Sequence, residues 1–455
     1  MKSINPATGH VVAEYAEHTA KEVEAILASS KSAQSCWRGH RLDERAAFLR
    51  RAADIMEAET GRLAGLITTE MGKPVGEALA EIKRCVNVCR FYADSAGAML
   101  APQVPEGAPE GASIVFEPLG PVLGVMPWNF PFWQVMRCAA PVLMAGNSFL
   151  LKHAPSVTGC ALAAEDVMAR SGVPPGLFRA LVISEELVAD VITDSRVRAV
   201  SLTGSCRAGA AVAEAAGRSL KKAVLELGGS DPFIVLADAD LNLAVHTAVA
   251  ARFYNAGQTC VSAKRFLVER PVVREFEERM AKAVSLLKMG DPARAETRIG
   301  PMARADLRAA LDGQVSRSVE MGARVALEGG PAPGDGFFYR PVVLAGVKPG
   351  MPVFDEEVFG PVASITAVAD AEEALRLANR TRYGLGASVW TSNAKLGRKL
   401  AGLIEAGTVA VNTLVKSDPR LPFGGVKDSG FGRELGAQGL MEFVNVKVLR
   451  IPEEP

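Results

Sequence analysis

Ala199-Val-Ser-Leu-Thr203-Gly204-Ser205 reads as a short strand closed by a glycine turn, and an alanine-rich helical stretch follows it. The same strand, turn and helix unit recurs on both sides. Upstream lie Ser148-Phe-Leu-Leu-Lys152 with a helix running to Ser171, then Arg179-Ala-Leu-Val-Ile183 with a helix opened by Ser184-Glu-Glu. Downstream lies Lys222-Ala-Val-Leu-Glu226. Alternation of this kind builds a parallel sheet with helices on both faces, so the fold class is α/β. Ligands bind such sheets at the carboxyl ends of the strands, where Lys152 and Thr203 both fall. A second alternating set begins near Asp231 and continues to about Asn412, which predicts a second α/β domain.

Before this region, from Ala20 to about Leu100, the pattern is helical. Glu22 to Ala28, Arg45 to Met56 and Glu77 to Met99 place apolar residues at three- and four-residue spacing, and Gly72-Lys73-Pro74 supplies a stop signal. A Pro/Gly-rich loop from Ala101 to Gly111 leads into a β pair, Ser113 to Glu117 and Val122 to Met126. The tail from Glu442 to Ile451 alternates like a strand and is expected to pair with a sheet elsewhere, in this subunit or another.

At 455 residues the chain is long enough for two or three domains. Its 49% hydrophobic and 22% charged content is that of an ordinary soluble protein. Lys plus Arg and Asp plus Glu both total 51, which argues against a nucleic-acid or membrane surface built from bulk charge. The N-terminus lacks the apolar core of a signal peptide, and no run is long enough to cross a bilayer. Seven cysteines without a Cys-x-x-Cys pair do not read as a disulfide framework. Cys85 and Cys89 lie one helical turn apart with no histidine nearby, so no metal site is expected. The reading is a cytoplasmic protein.

Five stretches carry side chains suited to chemistry, and four of them also have a plain structural reading. Phe253-Tyr254-Asn255-Ala256-Gly257-Gln258-Thr259-Cys260 sets a cysteine in a turn between a helix (Leu241 to Tyr254) and a strand (Arg265 to Glu269); it is either a nucleophile facing a cleft or an inert buried thiol. Thr203-Gly204-Ser205 with Gly209 either cradles an anion at a helix start or makes a tight turn. In Pro127-Trp128-Asn129-Phe130-Pro131, Asn129 either donates to a developing oxyanion or serves the turn. Glu226, followed by Leu227-Gly228-Gly229, is a general base or a solvated acid. Glu356-Glu357-Val358-Phe359-Gly360-Pro361 adds a carboxylate that can accept ribose hydroxyls.

Taken together, these segments and Pro422-Phe-Gly-Gly-Val-Lys427 resemble the NAD(P)-dependent aldehyde dehydrogenase superfamily, in the family's order and from about Ile4 to Val448. The resemblance implies a Rossmann-like cofactor domain (1–100 and 119–225), a catalytic domain (226–425) and a β oligomerisation arm (101–118 and 426–455), assembled as a homodimer or homotetramer. It implies Cys260 as nucleophile, Glu226 as base, and Asn129 with the Cys260 backbone N–H as oxyanion hole. It places Pro127, Trp128, Lys152, Pro155, Ser156, Thr203, Gly204, Ser205, Leu227, Glu357 and Phe359 around the cofactor. Glu226 favours hydrolysis of the thioester over transfer to coenzyme A, and its presence with Cys260 argues against a non-catalytic role.

Within the family the likeness is to succinate-semialdehyde dehydrogenases of the short bacterial type, through Asn129-Phe-Pro-Phe-Trp-Gln-Val-Met-Arg137 and Leu151-Lys-His-Ala-Pro155. It implies Arg137 and Ser417 as the partners of a substrate carboxylate. The plain alternative for Arg137 is an ion-paired helix residue. Tyr254 stands where some relatives carry a second arginine, which leaves glutarate semialdehyde and uncharged aliphatic aldehydes as alternatives. Ser262 replaces a cysteine that forms a regulatory disulfide in some relatives. Pro155 stands where many NAD-specific relatives have a glutamate, so the expected cofactor is NAD, with NADP accommodated.

Overall fold

The computed structural model describes residues 1–451. Its first sheet runs, in spatial order, Gly430–Phe431, Lys222–Glu226, Ala199–Thr203, Val122–Met126, Phe149–His153 and Phe178–Ala180. The last five are mutually parallel, and Gly430–Phe431 pairs antiparallel at the edge. The chain starts in the middle strand, winds out to Phe178–Ala180, then returns to the other side. Strand order therefore reverses between Val122–Met126 and Ala199–Thr203, the crevice where open α/β sheets take ligands.

A second, seven-stranded sheet carries Asp231–Val235 and Ala263–Glu269 near its centre, flanked by Val362–Val368 on one side and Gly386–Trp390 on the other. These strands are parallel; only Arg324–Leu327 at the edge runs antiparallel. The chain passes from the first sheet to the second through Leu227, Gly228, Gly229 and Ser230 alone. That short crossover holds the carboxyl end of one sheet against the other, and the site forms there.

The predicted N-terminal helices are Ala20–Trp37, Leu42–Ala58, Thr60–Met71 and Val75–Met99. Gly72 takes φ of 78°, a left-handed conformation natural to glycine, and Pro74 then caps the next helix. These helices pack around Trp133–Met144, in which every residue is buried. The first turn of that helix is held by a long-range acceptor: Glu81 Oε1 takes the N–H groups of Phe132 and Trp133 at 2.9 and 3.1 Å, while its other oxygen pairs with buried Lys73.

Three expectations are corrected. The strand near Arg179 is shorter, Phe178–Ala180, because the Val182 N–H donates to His18 Nδ1 and its carbonyl accepts from His18 N, in place of a strand neighbour. The following helix opens at Val188 rather than at Ser184. Of the segments expected in the arm, Ala112–Pro118 pairs antiparallel with Val444–Arg450, but Gly430–Phe431 belongs to the first sheet and Val426–Lys427 pairs with Tyr383–Gly384. Pro452 to Pro455 lie outside the described residues. Among the described residues, no helix is long and apolar enough to cross a membrane.

Candidate active site

The loop bearing Cys260 is backbone-strained and tightly tied. Helix Leu241–Phe253 opens on Asp240, whose side chain accepts the N–H groups of Asn242 and Leu243, and it ends at Tyr254. Asn255, Ala256 and Gly257 then take φ of 54°, 51° and 73°, a left-handed run that turns the chain sharply before the cysteine. Buried hydrogen bonds hold this run. Asn255 Nδ2 donates to the carbonyls of Asn129 and Gln258, Asn255 N donates to Glu77, and Gln258 Oε1 accepts from Ala303 N. A Cβ on Gly257 would lie 2.3 Å from the Gly360 carbonyl oxygen, so only glycine fits there.

Arg252, fully buried, joins this loop to the Glu356–Pro361 segment. Its guanidinium donates to the carbonyls of Val358, Gly360 and Val362 and to Ser262 Oγ. Lys264 makes a second tie: its Nζ donates to the carbonyls of Gly229 and Cys260, at 2.6 and 3.0 Å, and pairs with Glu357 Oε1 at 2.7 Å. The crossover fits between these groups because it is glycine. A Cβ on Gly228 would lie 2.4 Å from Glu357 Oε2, and one on Gly229 would lie 2.8 Å from the Cys260 carbonyl oxygen.

Two cavities meet at Cys260. The first, about 230 Å³, is lined by Pro127, Trp128, Asn129, Thr203, Gly204, Ser205, Leu227, Gly228, Leu307, Glu357 and Phe359 together with Cys260. It opens at the crevice between Val122–Met126 and Ala199–Thr203. The second, about 310 Å³, lies on the other side of the thiol between Trp133, Arg137, Tyr254, Ser417 and Phe423, with Arg84 in its wall.

The first cavity suits a dinucleotide. Ser205 caps helix Cys206–Arg218, so free N–H groups of its first turn face the crevice beside Gly204. Glu357 Oε1 is committed to Gly229 N and Lys264, which fixes the carboxylate. Trp128 and Phe359 meet edge to face, with centroids 5.8 Å apart, as an aromatic wall. Lys152, Pro155 and Ser156 lie on the neighbouring strand and turn, outside this cavity's lining. His153 anchors that strand end, its ring nitrogens meeting the carbonyls of Met126 and Pro131 at 3.2 and 2.8 Å.

Beneath the thiol lies a buried charge cluster. Glu226 is 2% exposed, and neither of its oxygens has a hydrogen-bond partner among the described residues. Burial pushes its carboxyl well above the usual range; Arg137 opposes this and Glu434 reinforces it. Burial likewise pushes the Cys260 thiol up to about 11, with Arg137 and Lys264 pulling it down and Glu226 pushing it further up. At rest the thiol is therefore neutral, beside a carboxylate whose burial raises its affinity for a proton. Asn129 donates one amide hydrogen to Gln258 O at 3.0 Å, leaving the other free.

Arg137, expected to meet a substrate carboxylate or else to be an ion-paired helix residue, lines the second cavity and is ion-paired. It is 2% exposed and ion-paired with Glu434, and its Nη2 donates to Thr203 Oγ1 at 3.3 Å. Its Nε is ion-paired with Glu434 and its Nη1 has no acceptor among the described residues, so Arg137 belongs to the charge cluster while still facing the cavity. Glu434 and Lys264 were missed by sequence reading. A basic pair, Lys264-Arg265, set just after Cys260 in a fully buried stretch of strand was the signal for Lys264; nothing local marks Glu434.

A family model for the aldehyde dehydrogenase family matches residues 1–449. The chain belongs to the aldehyde dehydrogenase family. Among curated relatives, it is 48% identical to a probable NADP(+) succinate-semialdehyde dehydrogenase of Synechocystis sp., over 99% of each chain. It is 47% identical to an NAD(P)+ succinate semialdehyde dehydrogenase of Escherichia coli, over 98% of this chain and 97% of the relative. Among solved structures, a succinic semialdehyde dehydrogenase from Streptococcus pyogenes in complex with NADP+ superposes with a TM-score of 0.97 at 37% identity, covering 99% of this chain and 100% of that one. The α/β architecture of this aldehyde dehydrogenase thus follows the fold that the sequence segments implied.

Proposed function

We propose that this aldehyde dehydrogenase oxidises succinate semialdehyde, or a similarly short semialdehyde, to the free acid with NAD(P). The observation that carries the reading is Cys260 at the junction of two cavities, one suited to a dinucleotide and the other to a small aldehyde. The names of the relatives support the substrate class and the use of either cofactor. Pro155 presents no carboxylate to repel a 2′-phosphate, which supports NADP beside NAD.

The chain's own residues supply the remaining chemistry. Glu226 takes the thiol proton, and Cys260 attacks the carbonyl carbon to give a thiohemiacetal. The free amide hydrogen of Asn129 and the backbone N–H of Cys260 donate to its oxyanion. A nicotinamide cofactor, held by Gly204, Ser205, Lys152 and Glu357, supplies the hydride acceptor. Loss of hydride from the thiohemiacetal carbon to that acceptor would leave a thioester on Cys260; Glu226, once it has released the thiol proton to solvent, takes a proton from water, which opens the thioester and frees the thiol, and its unpartnered oxygens favour this hydrolysis over transfer to coenzyme A. The arm, with Val446 and Val448 58% and 69% exposed, pairs with another copy in a homodimer or homotetramer.

The test compares NADH and NADPH formation with succinate semialdehyde, glutarate semialdehyde and propanal. Propanal turned over as well as the semialdehydes would replace this reading with a general aliphatic aldehyde dehydrogenase. Turnover that requires coenzyme A would overturn the hydrolytic step.

A further inference from the structure

The second cavity contains a cation that no acid balances. Arg84 lies on helix Val75–Met99, one turn beyond Glu81, and its guanidinium carbon sits 4.2 Å from the centre of the Trp133 ring. Its neutral partners are two hydroxyls, Ser417 Oγ at 2.6 Å and that of Tyr254. Among those residues, no carboxylate lies within ion-pair distance of it. The molecule's other interior arginines differ. Arg137 pairs with Glu434, while Arg252 and Arg265 are saturated by backbone carbonyls.

A guanidinium has five N–H donors and loses much of its hydration when enclosed. With only hydroxyl partners, in a wall that is apolar at Phe130, Trp133, Val261 and Phe423 and carries no carboxylate, Arg84 keeps donors in reserve. Stacking on Trp133 and the bond to Ser417 fix the plane of the fork. Lys416 at the rim adds positive charge and no compensating acid. The lining therefore matches an aldehyde with an apolar body and an anionic far end.

We propose that Arg84 is the specificity-determining residue that receives the distal carboxylate of the substrate, with Ser417 as its co-ligand, and that Arg137 instead belongs to the Glu226–Glu434 charge cluster. The inference rests on the semialdehyde reading above. It assigns the fork-to-fork contact to a helix outside both catalytic motifs.

The experiment measures kcat and KM for succinate semialdehyde and for butanal, its uncharged counterpart, in wild type, Arg84→Gln and Arg84→Lys. Arg84→Gln is expected to lose about 100-fold in kcat/KM on the semialdehyde, chiefly through KM, and to stay within about 2-fold on butanal. Arg84→Lys keeps the charge and recovers part of the preference. Butanal turnover reports folding, so an equal loss on both substrates marks a structural role and overturns the inference. A semialdehyde preference that survives Arg84→Gln overturns it while leaving the proposed function standing. Wild type that shows no such preference removes the semialdehyde reading and the inference together.

Discussion

The Cys260 thiol offers the most direct test of how this site is charged at rest. Burial holds it at about 11, although Arg137 and Lys264 both act to lower it. Near pH 8 that gap of about three units leaves roughly one thiol in 10³ ionised, a cost of about 4 kcal/mol before any chemistry begins. The assay is alkylation of the cofactor-free enzyme by iodoacetamide, followed at the Cys260 peptide because Cys36 is exposed and Cys206 half-buried. The alkylation rate should climb about tenfold per pH unit from about pH 7 to about pH 10. Glu226→Gln should displace the curve toward lower pH, since a charge that pushes the thiol up has gone, while turnover falls. The two effects have opposite signs, which separates Glu226 as a neighbouring charge from Glu226 as a base. A rate already level near pH 8 in the wild type would mean a resting thiolate. The role of Glu226 in ionising the cysteine would then be refuted.

Steady-state turnover of Glu226→Gln should fall by about 10²- to 10⁴-fold, and stopped-flow should show an initial burst of reduced cofactor if thioester hydrolysis is the step most impaired. Arg252→Met removes the donor to several buried carbonyls and should destabilise the protein by about 3 kcal/mol or more in chemical denaturation. It should also weaken cofactor binding, measured by fluorescence titration, because the Glu357–Phe359 segment loses its anchor. His153 is held down to about 4 by burial, below its ordinary 6.5. Its neutral form stabilises the fold fully above about pH 6.5, and that contribution drains away by up to about 3 kcal/mol as pH falls toward 4. Denaturation of wild type and His153→Gln across this window should show the shallower pH slope in the variant.

Period and punctuation made much of the fold readable. Strand Ala199–Thr203 and its neighbours are apolar on both faces and bounded by turns, so they read as strands of a covered parallel sheet whichever helices cover them. The short strand at Phe178 was over-read because an apolar run does not reveal where its partner ends. Val182 is as apolar as Ala180, yet His18, far away in sequence, takes its backbone bonds. Cys260, Glu226 and Asn129 were legible because each stands at a strand end or turn beside glycine or proline, where chemistry and local geometry leave a joint signature.

Arginines show the limit of such reading. Arg137 and Arg84 each interrupt the apolar face of a helix, and periodicity marks both as misplaced charges without saying what answers them. The answer to Arg137 lies on Glu434, near the far end of the chain, and Arg84 meets only the hydroxyls of Ser417 and Tyr254 among the described residues. A local motif favours Arg137, which follows Asn129 on the same segment; the long-range partners support the proposal that Arg84 takes that role. Charge balance in a cavity is a property of tertiary structure. The same guanidinium is a structural ion when an acid reaches it and a ligand site when none does, and only the folded chain distinguishes them.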